Sequence, residues 1–539
     1  MLDGIELIKA GAGLPVSDTA SRLMGKKLRP VKVYGWHVDP SKSDPAQAVT
    51  YLADAVGKTP AAMGSTAFSY GGWEDAFFMP KPCMLRYDGT VAYYLDPNDY
   101  TKKADGTASD VADTSFGGNA MMEWPLIWYK FVPGEADGEG SFYCSDKQAD
   151  SSYKCWCNTD ADGNVIPHFY TAIYNGCIVS QKLRSLSGQA LNQYTAYEVS
   201  FSDFVDKAAA NNAGANKEWD TDVYADRALI NALLVLISKT LDTQSAFGKG
   251  FTGGRPPIQR STGRLDANGL FYGESTGNEF VKVFGMENYW GCLIRRTRGL
   301  TAKNGKYLYK LTRGTADGSS AADYNLTGDN YIEAFAPPPG LWEADVEISS
   351  MRFGPYGMLP QSSVRNSSFD TFYCDRLMPV TIETPIAQGG WTSGTRQSPS
   401  DTYYPLRVSS TDKRWIAGKG QYIFDAPDAD SDVQIAVQLF DGSTRTLDTG
   451  WHTLPFALDL TAFYGQDYIV LFKKTDDSAI VPADVGISVH KLTAPVTVGF
   501  GGHITRGIDA GAFELWPTDV DSLESLYGAA LSCKPVNAQ

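Results

Sequence analysis

Several things are scarce in this chain, and each scarcity closes off a class of function. Eight cysteines in 539 residues are too few for a disulfide scaffold of this size. They read as buried thiols packed as small hydrophobes. Cys155-Trp156-Cys157 has no second Cys or His pair at metal spacing, so no zinc site is expected. Only five histidines occur, His37, His168, His452, His490 and His503, and no HExxH pattern is found. Basic residues are outnumbered 47 to 62, for a net charge of -15. A sequence-independent grip on nucleic acid needs a basic surface, so nucleic acid is not an expected partner. The longest apolar stretch, Ala228 to Ile237, is about half of what a bilayer requires. Met1 to Glu6 is acidic early and lacks an apolar segment, so no secretory signal is expected. No internal repeat is visible, which argues against the long β-helix of glycan-cleaving spikes. The expectation is a cytosolically made, soluble protein with no membrane insertion, no cofactor and no metal.

What is abundant is glycine (53), proline (28) and aromatic residues (12%), the composition of many short strands and turns. The length allows three or four domains. Val31 to Trp36 reads as a strand, and Pro45 to Val56 as a helix ended by Gly57 and Pro60. Met84 to Tyr87 and Val91 to Tyr94 flank Asp88-Gly89, a hairpin signal. Met122 to Phe131 reads as one strand. Ser200 and Asp203 form a capping-box pair, after which Phe201, Phe204, Val205 and Ala208 line one helical face. A second helix runs from about Asp222 to Leu241, apolar over more than half its circumference and therefore buried. Two helices beside many strands predict an α+β domain. The basic run Arg295, Arg296, Arg298, Lys303, Lys306, Lys310 and Arg313 reads as a solvated hairpin.

The stretch 381–494 differs in kind. It has no cysteine and no evident helix. Val433, Ile435, Val437 and Leu439 alternate with polar or small residues, Asp441-Gly442 marks a turn, and Tyr468–Phe472 and Val485–Val489 are further strands. This reads as an all-β sandwich. Pro379-Val380-Thr381 precedes it and Pro495-Val496-Thr497 follows it, as if one strand had been opened to receive a domain.

The last forty residues are patterned differently again. Gly499-Phe500-Gly501-Gly502, Asp509-Ala510-Gly511-Ala512-Phe513 and Tyr527-Gly528-Ala529-Ala530-Leu531 form a frame of small and aromatic residues. Between them stand residues of nearly every chemical type. His503, Ile504, Thr505, Arg506, Ile508, Asp509, Glu514, Trp516, Thr518, Asp519, Val520, Ser522, Leu523, Glu524 and Ser525 lack core periodicity and are expected to face solvent as a ligand-binding surface. Large apolar side chains beside a few charges are the mix that anchors interfaces. Catalysis tolerates few residue types at few positions, so the pattern speaks for binding. Asn158, Asp160, Asp162 and Gly163 open like a calcium loop, but the twelfth position is Phe169, and a hairpin turn fits equally well. Asp428, Asp430 and Asp432 read as a solvated loop. Gly248 to Gly253 spells GxGxxG but follows a helix instead of a strand, so it is a loop without phosphate-cradling geometry.

Lys182-Leu183-Arg184-Ser185-Leu186-Ser187-Gly188, Phe284-Gly285-Met286-Glu287-Asn288-Tyr289-Trp290-Gly291, Val33 to Asp39 and the glycine-alanine ending together resemble phage tail-tip proteins with a C-type-lectin-like fold. That fold is related to formylglycine-generating enzymes, and several members are diversified at the C-terminal end by a retroelement. The insert is similar to a β-sandwich common in phage structural proteins. The chain departs from the usual ending at Ala530 and Cys533, where the family has an arginine and an aromatic. The resemblance implies a tail-docking segment over 1–30 and a strand and helix region over 31–120. A lectin-like domain follows over 121–380, interrupted by the sandwich at 381–494, with the ligand-binding part at 495–539. It implies a receptor-binding protein of the virion's distal tail, a homotrimer that contacts a host cell-surface protein or glycan and docks to other tail proteins through its N-terminus. It also implies that Glu287 bonds backbone amides in a core turn. Two other readings stand beside it: a formylglycine-generating-type enzyme, whose only candidate thiols are Cys374 and Cys533, and a cell-surface display protein.

Overall fold

The structure is a computed structural model. It describes residues 31–64, 67–136, 138–191, 199–213, 218–254, 260–303, 306–333 and 351–360. Beyond these it describes 391–392, 395–396, 404–408, 421–425, 432–441, 443–454, 456–459, 467–476, 478, 488–492, 496–502, 511–513, 515–519 and 527–535. Among them the fold is mostly β-sheet with three α-helices.

Two sheets build the first part. One has four antiparallel strands in the order 49–53, 33–38, 140–145, 128–133. Its inner face carries Tyr34, Trp36, Val38, Tyr51, Tyr129, Phe131 and Phe142, all buried. The second has seven strands in the order 219–221, 531–533, 169–172, 118–124, 81–86, 91–96, 99–103. The Asp88-Gly89 hairpin forms as expected between Lys81–Arg86 and Val91–Asp96. Residues 531–533 thus sit inside a sheet begun more than four hundred residues earlier.

Helix α1, Phe201–Ala209, starts where the sequence places it. Ser200 accepts from the Asp203 amide while Asp203 accepts from the Ser200 amide. Helix α2, Tyr224–Ser238, is buried along all 15 residues. At roughly 1.5–3 kcal/mol for each large apolar side chain removed from water, it is the main mass of the core. A third, shorter helix, α3, spans Thr243–Phe247 and is capped by Asp242, which accepts from the Ser245 amide. Gly248 to Gly253 follows as a loop.

Three expectations are corrected. Residues 45–56 are a turn followed by the strand Val49–Ala53, because Val49 and Tyr51 alternate into the core against Val33–Val38 and tertiary pairing overrides helix propensity. The single strand over 122–131 is two, Gly118–Trp124 and Trp128–Pro133, in different sheets with Pro125 between them. The basic run does form a hairpin, Ile294–Lys303 against Lys306–Tyr309, but much of it is not solvated. Arg295, Arg296 and Lys310 are buried, and Arg298 and Arg313 both turn inward onto Asp220.

The third large sheet runs 332–333, 306–309, 294–303, 496–500, 515–519, with 527–528 added parallel to 294–295. Between its strands 294–303 and 496–500 the chain passes through 404–492. The strands there pair only with one another among the described residues, in the order 404–408, 467–474, 433–441, 444–448 and in a second sheet, 456–459, 421–425, 488–492. Val433, Ile435, Val437 and Leu439 are buried. Residues 1–30, the expected tail-docking segment, lie outside the described residues. No helix among them is long and apolar enough to cross a membrane.

Candidate functional site

The C-terminal frame is held from below by α2 and by the segment 287–291. Tyr289 and Trp290 are buried, and the Gly291 amide donates to the Gly501 carbonyl at 2.8 Å. Gly501 has φ +94, and a Cβ there would stand 2.9 Å from the Tyr289 carbonyl oxygen, so only glycine fits. Arg227 lies with its guanidinium carbon 3.7 Å from the Tyr289 ring centre and 5.2 Å from that of Phe500, and it donates to the Tyr289 carbonyl at 3.0 Å. One turn further along α2, Asn231 donates to the Ala512 carbonyl at 2.8 Å and accepts from the Tyr289 hydroxyl at 2.9 Å. The Ala512 amide donates to the Thr243 hydroxyl at 3.2 Å. Both feet of the 503–510 segment, residues 500–502 and 511–513, are therefore fixed to the same helical layer.

The second half of the frame is fixed by backbone pairing and charge. Tyr527 and Gly528 pair in parallel with Ile294 and Arg295. The Gly176 amide donates to the Ala529 carbonyl and the Asp222 amide to the Ala530 carbonyl, at 2.9 and 2.8 Å. Ser532 donates to Asp226 at 2.8 Å, and Lys534 reaches the other oxygen of the same carboxylate at 3.0 Å. Beneath them Asp220 takes both Arg298 and Arg313. Burial pushes the Asp220 carboxyl up, but the two guanidinia outweigh it and hold the group below its ordinary range.

Glu287 behaves as the resemblance implies. It accepts the Gly263 and Leu265 amides at 3.0 and 2.9 Å, while its register partner Lys282 donates to the Leu265 carbonyl at 2.7 Å. Burial pushes the Glu287 carboxyl up to about 7 and pulls the Lys282 ammonium down to about 7. The pair staples the 263–265 turn from inside.

The predicted binding residues themselves fall mostly between these anchors. His503, Ile504, Thr505, Arg506, Ile508, Asp509, Glu514, Val520, Ser522, Leu523, Glu524 and Ser525 lie outside the described residues. Trp516, Thr518 and Asp519 lie on the strand Leu515–Asp519, in register with Gly499, Thr497 and Val496. Sequence reading missed Arg227, Asn231 and Thr243, the residues that grip the frame. One signal was present: Arg227 and Asn231, with Asp226, are polar residues inside a helix whose remaining interior positions are apolar.

The other motifs resolve as turns and core. Asp160 is buried and accepts the Asp162 and Asn164 amides, closing a hairpin in which Thr159 pairs with Val165. Asp432 stands in the turn just before the strand Val433–Asp441, 4.0 Å from Lys474, while Asp428 and Asp430 lie outside the described residues. No three His, Cys, Asp or Glu side chains among the described residues stand close enough to hold a metal ion. Cys533 is buried in the seven-stranded sheet, and burial pushes its thiol well above the ordinary range. Cys374 lies outside the described residues. No protein-family profile matches the chain, and no curated protein matches its sequence.

Proposed function

We infer that this chain is a phage receptor-binding protein, the distal tip of a tail fibre, that adsorbs reversibly to a host cell-surface protein or glycan through residues 503–525. The reading rests on one observation. Residues 500–502 and 511–513 on either side of 503–510, and residues 527–531 after 520–526, are buried and hydrogen-bonded into the core, so the core itself anchors the frame and leaves 503–510 and 520–526 open to variation. A C-type-lectin-like platform, an inserted sandwich at 381–494, N-terminal docking to the tail and a homotrimer complete the proposal. Three copies would convert weak single contacts into firm attachment, with avidity gains of about 10²–10⁴. The high thiol pKa direction at Cys533 speaks against the formylglycine-generating alternative, which needs an activated cysteine.

The test is adsorption of the purified full chain to candidate host bacteria. Replacing Trp516 and Arg506 together by alanine should lower adsorption by about tenfold or more, the effect of removing ~1.4 kcal/mol or more of contact energy. Adsorption that is unchanged in the double variant removes this face from the proposal.

A further inference from the structure

The four-stranded sheet has an outer face that the proposed attachment does not use. An open groove of about 610 Å³ crosses it, within the size range of small-ligand sites. Across the strands, Gly35 stands between Leu52 and Tyr143, and His37 between Thr50 and Ser141. A Cβ on Gly35 would lie 2.7 and 3.1 Å from two ring carbons of Tyr143, so the tyrosine ring rests on the bare glycine backbone. Lys130 borders that ring at 5.5 Å but is held by Ser152 at 3.0 Å.

The polar groups around the ring are oriented in advance. One oxygen of Glu139 accepts the Glu135 and Ala136 amides, both at 3.1 Å, which leaves the other 3.7 Å from the His37 ring. The other ring nitrogen of His37 is 3.0 Å from the Ser141 hydroxyl. Asp39 accepts the Ser41 amide at 2.9 Å. Carboxylates fixed by backbone amides lose little freedom when a ligand arrives. Two carboxylates repel an anion, and His37, Asp39 and Glu139 do not converge closely enough to hold a metal ion. A ligand rich in hydroxyl donors, with an apolar face for the ring, fits this arrangement.

We propose that this groove is a binding site for a neutral saccharide, with Tyr143 as the stacking platform and Glu139 and Asp39 as hydroxyl acceptors. The site is separate from the C-terminal face and stands whether or not that face binds a receptor.

The experiment is saturation-transfer NMR on the full chain. The probes are methyl glycosides of glucose, galactose, mannose and N-acetylglucosamine, with glucuronic acid and N-acetylneuraminic acid as charged counterparts. At least one neutral glycoside should bind. Tyr143→Ala should abolish the signal and Glu139→Gln should weaken it by about tenfold, the value of one charge-assisted hydrogen bond. The glutamine variant keeps the groove's shape and serves if the alanine variant does not fold. Silence from every neutral glycoside, preference for the acidic sugars, or indifference to both groove variants would each overturn the proposal.

Discussion

Aspartates serve this molecule in two opposite ways, at the surface turns of residues 88–152 and in the seam beneath the C-terminal strand. Asp88, Asp105, Asp113 and Asp150 each accept from the amide and the hydroxyl of a threonine or serine two residues on. Those hydroxyls first, and then the amides, lower all four carboxyls below their ordinary range. Asp220 is lowered as well, but by arginines 78 and 93 residues away, in a place from which water is excluded. The first arrangement closes a turn and needs nothing else. The second ties together three distant parts of the chain, and it holds only while every partner is present.

The largest effect is therefore expected at Asp220. Asp220→Ala would remove the carboxylate that two guanidinia share and leave only Asp323, 3.7 Å from Arg313, at a cost of about 3–5 kcal/mol, measured as the shift in a urea unfolding midpoint. The pH dependence sharpens the point. Because its folded pKa lies below the unfolded one, the carboxyl contributes fully above the ordinary value of 3.8 and loses that contribution as pH falls through the folded value. The wild type should weaken on acidification below about pH 4, and Asp220→Asn should flatten that acid limb. An equally steep limb in the variant would mean that the seam does not govern acid stability.

The same contrast explains what could be read from the sequence. The Asp88-Gly89 hairpin, the Ser200–Asp203 capping box and the buried α2 are written in residues a few positions apart, and all three are found. The basic run is legible as a hairpin but its burial is not, because its partners are remote: nothing near Arg298 or Arg313 in sequence announces Asp220. Residues 45–56 misled for the same reason, since the strand Val49–Ala53 exists only through its pairing with Val33–Val38. In the candidate site the frame itself was legible as a pattern of glycine, alanine and aromatics. Its anchors were not, because Asn231 and Thr243 stand 281 and 269 residues from the Ala512 they hold.

A middle-sized effect is expected where that grip is single and uncharged. Asn231→Ala removes a donor to Ala512 and an acceptor for Tyr289, both buried, and should cost about 1–3 kcal/mol. If the frame positions the binding surface, adsorption should fall by more than the loss of folded protein accounts for. Asn231→Asp, which keeps the acceptor for Tyr289 but sets a second oxygen against the Ala512 carbonyl, should not rescue it. A variant that loses stability yet adsorbs normally would separate the anchor from the surface it carries.

The smallest effect is expected at the surface pair of Asp99 and Lys102, 2.8 Å apart, with the lysine half exposed. The Asp99 carboxyl is lowered by Lys102 first and by the Thr101 hydroxyl next. Replacing the lysine leaves the Thr101 donors in place, so the turn still closes. Solvent screens what the ammonium adds, and side-chain entropy opposes it. Lys102→Ala should leave the unfolding midpoint within error of the wild type, and salt at about 1 M should erase any residue of difference. The Asp220 cluster, shielded from ions, should keep its contribution in the same salt. A salt-sensitive Asp220 beside a salt-insensitive Asp99 would reverse the division between remote, dry charge and local, wet charge on which the larger predictions depend.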